Sequence, residues 1–101
     1  MVIKPSPADH TETFDSNELG DDFVAVGRKC EVVAILVSAG GGSVACRLYD
    51  GSEDRVMIAA NAGESTPFTP AQPMLFKNNV KVVFEQGGQS QGGGEITIVL
   101  N

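Results

Sequence analysis

From residue 23 to residue 100, apolar residues recur with a period close to two. This period is typical of β-strands, in which successive side chains point to opposite faces of a sheet, whereas an amphipathic helix repeats every 3.6 residues. No window of the chain has a convincing helical pattern. The apolar runs are separated at short, regular intervals by turn-forming residues, chiefly Gly, Pro, Asn and Asp. The pattern predicts an all-β fold, a small antiparallel β-sandwich or jelly roll, over residues 23–101.

The strands are predicted where β-branched and aromatic residues are densest, at 23–26, 30–38, 44–49, 55–58, 80–85 and 95–100. The glycine-rich turn at 39–42 is expected to join two of these strands in a hairpin, with Ser38 opposite Ser43. The stretch 65–73 contains three prolines and is predicted to be an edge strand or a loop, because proline cannot donate to a central ladder. The octet 87–94 is rich in glycine and is interpreted as a flexible loop.

Residues 1–22 differ from the rest of the chain in charge and polarity. The whole chain carries a net charge of −6. Six acids against Lys4 give residues 1–22 a charge of −5, which leaves −1 for residues 23–101. Such a polar segment cannot bury enough apolar surface to fold alone. It is therefore predicted to be an acidic N-terminal arm, and deleting residues 2–20 is expected to leave the β-fold intact.

Composition and charge exclude several classes of function. Clustered Lys and Arg, which phosphate binding needs, are absent, so direct nucleic-acid binding is not expected. No apolar run is long enough for a membrane helix, and the N-terminus lacks the pattern of a secretion signal. The chain is therefore expected to stay in the cytoplasm in which it is made. At 101 residues it is expected to form one domain, without room for a second domain plus a deep active-site cleft.

Candidate chemical sites are few. The only histidine, His10, lies in the predicted arm, where it cannot be held against a nucleophile, so no catalytic residue is assigned. The turn Asp50-Gly51-Ser52-Glu53-Asp54 contains oxygen ligands but lacks EF-hand spacing, so it is interpreted as a solvated turn and not as a calcium site. No cofactor is expected. In the predicted hairpin Cys30 and Cys46 would lie over ~15 Å apart, too far for a disulfide, so both are expected to be buried free thiols.

One predicted strand is apolar on both faces, which a half-solvated sandwich strand should not be. It contains Val32, Val33, Ala34, Ile35, Leu36 and Val37. Two explanations are open. The outer face of this strand is covered either by the arm or the proline-rich segment, or by a neighbouring subunit.

Residues from about 28 to 100 resemble a group of small tailed-phage virion proteins. In these, a β-branched strand runs into a Gly/Ser-rich turn and then a strand ending in Leu-Tyr-Asp-Gly, here Leu48-Tyr49-Asp50-Gly51. A Phe, a short turn and an apolar strand follow, here Phe76, Lys77-Asn78-Asn79 and the strand from Val80. Asn79 stands where glycine is expected, and asparagine tolerates the left-handed conformation. The acidic arm is not part of the pattern.

The resemblance implies a non-enzymatic virion component assembled in the cytoplasm of a bacterial host. The expected role is capsid decoration by homo-oligomers, expected to be trimers, that bind the outer surface of the major capsid protein. A head–tail adaptor, tail or fibre component is the alternative, and a carbohydrate-binding β-sandwich is a second one. The residues expected to contact other subunits are Ile3, Phe14, Leu19, Val33, Ile35, Val37 and Tyr49.

Overall fold

The computed structural model describes residues 10–86 and 93–101 and contains nine strands and one short helix in that part of the chain. The structure has three strands besides the six that the alternation predicts, namely His10–Asp15, Ser65–Phe68 and Met74–Phe76. In chain order the elements are β1 (His10–Asp15), α1 (Ser16–Leu19), β2 (Asp22–Val26), β3 (Cys30–Ala39), β4 (Val44–Asp50), β5 (Glu53–Ala60), β6 (Ser65–Phe68), β7 (Met74–Phe76), β8 (Val80–Gln86) and β9 (Gly94–Leu100).

The strands form two antiparallel sheets that pack face to face. Sheet A has the order β1-β9-β3-β6, with β7 also pairing β3, and sheet B has the order β2-β8-β4-β5. The strand pairs are nested along the chain: β1 pairs with β9, β2 with β8, β3 with β6 and β7, and β4 with β5. The chain is therefore one long hairpin wound into two sheets. This is the jelly-roll arrangement. The predicted all-β sandwich is confirmed.

The core lies between the sheets and is built from the inward residues of the alternating pattern. Sheet B supplies, for example, Val44, Cys46 and Leu48 from β4, and sheet A supplies Ile96, Ile98 and Leu100 from β9. The prediction for the proline-rich stretch is confirmed, because β6 is an edge strand and its Pro67 lies opposite Leu36 of β3.

The hairpin predicted between residues 30–38 and 44–49 is wrong. β3 belongs to sheet A and β4 to sheet B, so residues 40–43 cross from one sheet to the other. Ser38 therefore pairs with Ser65 and Glu95 instead of Ser43. The local turn signal was correct, but a turn does not specify whether the strands that it joins lie in the same sheet. Cys30 and Cys46 are both buried and free, as expected.

The acidic arm is also corrected where the structure describes it. Residues 10–15 form β1, which pairs with β9 along its whole length. Phe14 packs against the core and lies 5.7 Å from Phe23, ring centroid to ring centroid. Ser16 is fully buried, and its hydroxyl accepts a hydrogen bond from the Gly94 backbone N–H at 2.8 Å. Residues 10–16 are thus part of the sandwich, whereas residues 1–9 and 87–92 lie outside the described residues.

Candidate interaction surfaces

A bulge in β3 decides which of its apolar side chains face the solvent. The register of β3 against β9 shifts between Val32 and Ala34, so the alternation restarts after the bulge. As a result Ile35 and Val37 are 2% and 0% exposed and belong to the core, whereas Leu36 is 38% exposed. The prediction that Ile35 and Val37 contact another subunit is therefore wrong.

The outward side chains of sheet A form a surface without any Lys or Arg. None of the five strands of this sheet contains a basic residue other than His10. The centre of the surface is uncharged, and its charged residues are all acids, at its two ends. We call it the outer face of sheet A, and it consists of Thr11, Thr13, Asp15, Glu31, Ala34, Leu36, Ser38, Ser65, Pro67, Leu75, Glu95, Thr97 and Val99.

Several hydroxyl groups on the outer face of sheet A are bonded to one another. The hydroxyls of Thr13 and Thr97 lie 2.9 Å apart across β1 and β9. Those of Ser38 and Ser65 lie 2.8 Å apart across β3 and β6. The hydroxyls of each cross-strand pair already hydrogen-bond to one another. Desolvation of this surface therefore costs less free energy than desolvation of unpaired hydroxyls. A surface of aliphatic and paired hydroxyl side chains is suited to a protein contact.

The outer face of sheet B has a different character. Its central residue, Arg47, pairs with Asp54 and with Glu85, and its guanidinium also lies 3.4 Å from the Met57 sulfur. Lys81 lies 3.7 Å from Asp22. Tyr49 is half-buried on this face between Lys81 and Asp54. Arg47 and Lys81 therefore each have an acidic partner within the domain, so neither presents an unpaired positive charge to another protein.

The segment at residues 48–51 and the turn at residues 77–79 meet at Asp50. This residue is 4% exposed, and its carboxylate accepts hydrogen bonds from the backbone N–H groups of Lys77 and Asn78, both at 2.8 Å. The Arg55 guanidinium lies 3.8 Å from the carboxylate. The backbone hydrogen bonds from Lys77 and Asn78 lower the pKa of Asp50. The Leu-Tyr-Asp-Gly hairpin is therefore clamped to the β7–β8 turn.

A reciprocal bond completes this clamp. The Gly51 N–H donates to the Asn79 side-chain oxygen at 2.8 Å, and Gly51 has a φ of 61°. The expectation that Asn79 adopts the left-handed conformation is wrong, since no non-glycine residue among those described has a positive φ. Asparagine is used at this position for its side-chain acceptor.

A small cavity of about 100 Å³ opens at the end of the sandwich that holds α1. Asp15 and Glu95, which are directly opposite one another on β1 and β9, line it together with Asn17 and Ser38. Asp15 already accepts a hydrogen bond from the Asn17 N–H at 2.8 Å, as the N-cap of α1. The two carboxylates are therefore placed by the fold of α1 and by strand pairing.

Within residues 10–86 and 93–101, no three His, Cys, Asp or Glu residues are grouped so that they could hold a metal ion. The same part of the chain contains no helix long and apolar enough to cross a membrane. Burial raises the pKa of Cys30, and it raises the pKa of Cys46 to about 12. Both thiols therefore stay protonated at neutral pH, which makes them poor nucleophiles.

We expect both cysteines to resist thiol reagents in the folded protein. Because attack requires a deprotonated, accessible sulfur, alkylation by iodoacetamide at pH 7.5 should be at least ~100-fold slower than in the unfolded chain. Mass spectrometry after timed labelling, with and without denaturant, measures this protection. Rapid native labelling of Cys46 would show that the β4 region opens readily.

The remaining predicted contact residues fall in different places. Ile3 lies outside the described residues. Phe14 is partly buried and packs against Phe23 and the core, and its role as a subunit contact stays a prediction. Leu19 is 47% exposed on α1, and Val33 is half-buried at the bulge. The residue that sequence reasoning missed is Leu36, and the only signal for it was the departure from alternation within residues 32–37.

Comparisons with protein families, with characterised proteins and with solved structures found no match to this chain.

Proposed function

We propose that this protein is a non-enzymatic structural component of a tailed-phage particle, a capsid decoration protein that binds the outer surface of the major capsid protein. The observation that carries the binding role is the outer face of sheet A. It has no Lys or Arg, and Leu36 on the inner strand β3 and Pro67 on the adjoining edge strand β6 are both exposed there. Exposed apolar surface framed by polar residues is typical of protein contacts.

The jelly roll suits this role because it is a rigid block that can bind through its outer faces without rearrangement. The assignment to a phage particle rests on the motif resemblance. The Asp50 clamp supports this assignment, because its hydrogen bonds join the two separated segments of the motif. Fold alone does not identify function, because jelly rolls occur in capsid proteins, lectins and enzymes.

Attachment would combine modest contacts over many copies. Apolar burial contributes roughly 25 cal/mol per Å², so a single small face gives limited affinity. We propose that the subunits form trimers and that three linked faces bind the particle together, which increases the overall affinity without new contacts. The described part of the chain has no strongly basic surface, which suits a position outside the packaged DNA.

The experiment that tests this function is the copy number per purified particle of the phage that encodes the chain. Quantitative mass spectrometry against the major capsid protein should give on the order of hundreds of copies, in a fixed ratio to that protein, because decoration sites repeat with the capsid lattice. Six to a dozen copies would instead support a head–tail adaptor or tail role. Absence from the particle would overturn the proposal.

The carbohydrate-binding alternative depends on one residue. Sugar-binding surfaces stack rings on exposed aromatic side chains, and this chain has no Trp and only one Tyr. Tyr49 is half-buried between Lys81 and Asp54. Its ring is therefore only partly available, and this alternative has less support than a protein contact.

A further inference from the structure

We propose that residues 1–9 of one copy dock on the outer face of sheet A of a second copy, with Ile3 against Leu36. This inference rests on the proposed function, in that it names the contact by which the copies of the oligomer hold one another. Three features of the chain carry it: the chemistry of the face, the composition of the segment, and the place where the segment joins the domain.

The face needs an apolar occupant at its centre and tolerates positive charge at its ends. Leu36 and Pro67 are exposed, with the partly exposed Ala34 and Val99 beside them. The charged residues of the face are all acids: Asp15 and Glu95 at one end, and Glu31 at the other. An apolar segment that carries a single base therefore matches this surface.

Residues 1–9 have this composition. Met1, Val2 and Ile3 are consecutive apolar residues, and Lys4, which follows them, is the only Lys or Arg in the first 27 residues. With Ile3 against Leu36, Lys4 can approach Glu95, which lies opposite Ser38, two residues along β3 from Leu36. The apolar residues of the segment and its one basic side chain thus both have counterparts on the face.

The segment is long enough to cross a face of this width. Nine extended residues span about 30 Å, whereas the distance across sheet A from β1 to β6 is about 14 Å at the usual strand spacing. The segment joins the domain at His10, the first residue of β1, which pairs with Leu100 at the edge of sheet A. It therefore starts beside the kind of surface that it is proposed to cover.

The occupied face belongs to a second copy because of where the prolines stand. Residues before proline favour extended conformations, and here Lys4 precedes Pro5 and Ser6 precedes Pro7. Since His10 is already in the β-ladder, a return to the chain's own face needs a reversal of the chain between Ile3 and His10, which the extended preference at Lys4 and Ser6 disfavours. A segment that continues away from its own domain reaches a neighbour instead.

Such an exchange also accounts for a closed oligomer. Each copy gives one segment and accepts one, so the contact joins two different surfaces. Contacts of this heterologous kind form rings when the rotation between neighbours closes, and a ring of three is the trimer proposed above.

Disulfide trapping tests the contact in the full-length protein. One chain carries Ile3→Cys, and a second chain, made heavier by a tag, carries Leu36→Cys. The native thiols are buried and do not compete. After mixing and mild oxidation with diamide, we expect at least about tenfold more mixed disulfide than with Met57→Cys in place of Leu36→Cys, because docking raises the local thiol concentration. Met57, on the outer face of sheet B, is the matched control, since it is 50% exposed.

Three results would overturn the inference. One is equal trapping at Leu36→Cys and Met57→Cys. Another is a disulfide that forms only within a single chain carrying both Ile3→Cys and Leu36→Cys. The third is a wild-type protein that sediments as an oligomer while neither pair of cysteine variants is trapped, which would leave the proposed function standing with a different subunit contact. Trapping at Leu36→Cys in a protein that is absent from particles would support the contact and overturn the decoration role.

Discussion

Deleting residues 2–20 should destabilise the domain severely, whereas deleting residues 2–9 should not. The longer deletion removes β1, which pairs with β9 from His10 to Asp15. It also removes Phe14, which packs against Phe23, and Ser16, which satisfies the buried Gly94 N–H. Loss of a core-packed phenylalanine alone costs about 3–5 kcal/mol at a fully buried site, a large share of the stability of a small domain.

Thermal unfolding followed by circular dichroism measures this difference. The 2–20 deletion should lower the Tm by more than about 15 °C or abolish the cooperative transition. The 2–9 deletion is the matched control and should unfold within a few degrees of the full chain, because it leaves β1 whole. Equal Tm values for both deletions would show that β1 adds nothing to the fold, as the sequence pattern alone predicts.

Replacing Asp50 with Asn should have the second largest effect. The carboxylate accepts two backbone hydrogen bonds at 2.8 Å and lies near Arg55, and the residue is nearly inaccessible. An amide keeps the size but removes the charge and presents a donor where an acceptor is needed. Because hydrogen bonds to charged groups are stronger than neutral ones, we expect Asp50→Asn to lower the Tm by at least about 10 °C.

Asp54→Asn is the control for this change. Asp54 lies just past the same hairpin turn and pairs with Arg47, but its side chain is half exposed. An exposed ion pair contributes little, so the Tm of Asp54→Asn should stay within about 3 °C of wild type. Similar decreases in Tm for both variants would show that the Asp50 clamp contributes no more to stability than the exposed Asp54–Arg47 ion pair.

The effect of Asp50 should also depend on pH in a definite direction. Its pKa is lowered from the ordinary value of 3.8 by the backbone hydrogen bonds from Lys77 and Asn78. A group whose pKa is lower in the folded state stabilises the fold above its unfolded pKa and loses that contribution as the pH falls through the folded pKa. The stability difference between wild type and Asp50→Asn should therefore be constant near neutral pH and shrink below about pH 4, as urea unfolding at several pH values can measure.

The candidate contact surface could be predicted only in part. The sequence showed that the strand from residue 30 to 39 is apolar on both faces, and the structure shows that Leu36 is exposed there. The sequence did not show the bulge between Val32 and Ala34. A one-residue change of register moves every later side chain to the other face, so Ile35 and Val37 were placed on the surface when they belong to the core.

What the sequence by itself determined is local. A period of two, with glycine, proline and polar residues between the apolar runs, determined the all-β class and the positions of most strands, because alternation and turn chemistry depend on neighbours along the chain. The tertiary structure alone decided that β3 and β4 lie in different sheets, that residues 10–15 complete sheet A, and that Asp50 clamps two distant turns. Those features depend on strand pairing between residues far apart in sequence. Such pairing follows from how the whole chain buries its apolar surface and satisfies its backbone hydrogen bonds, and no local pattern contains that information.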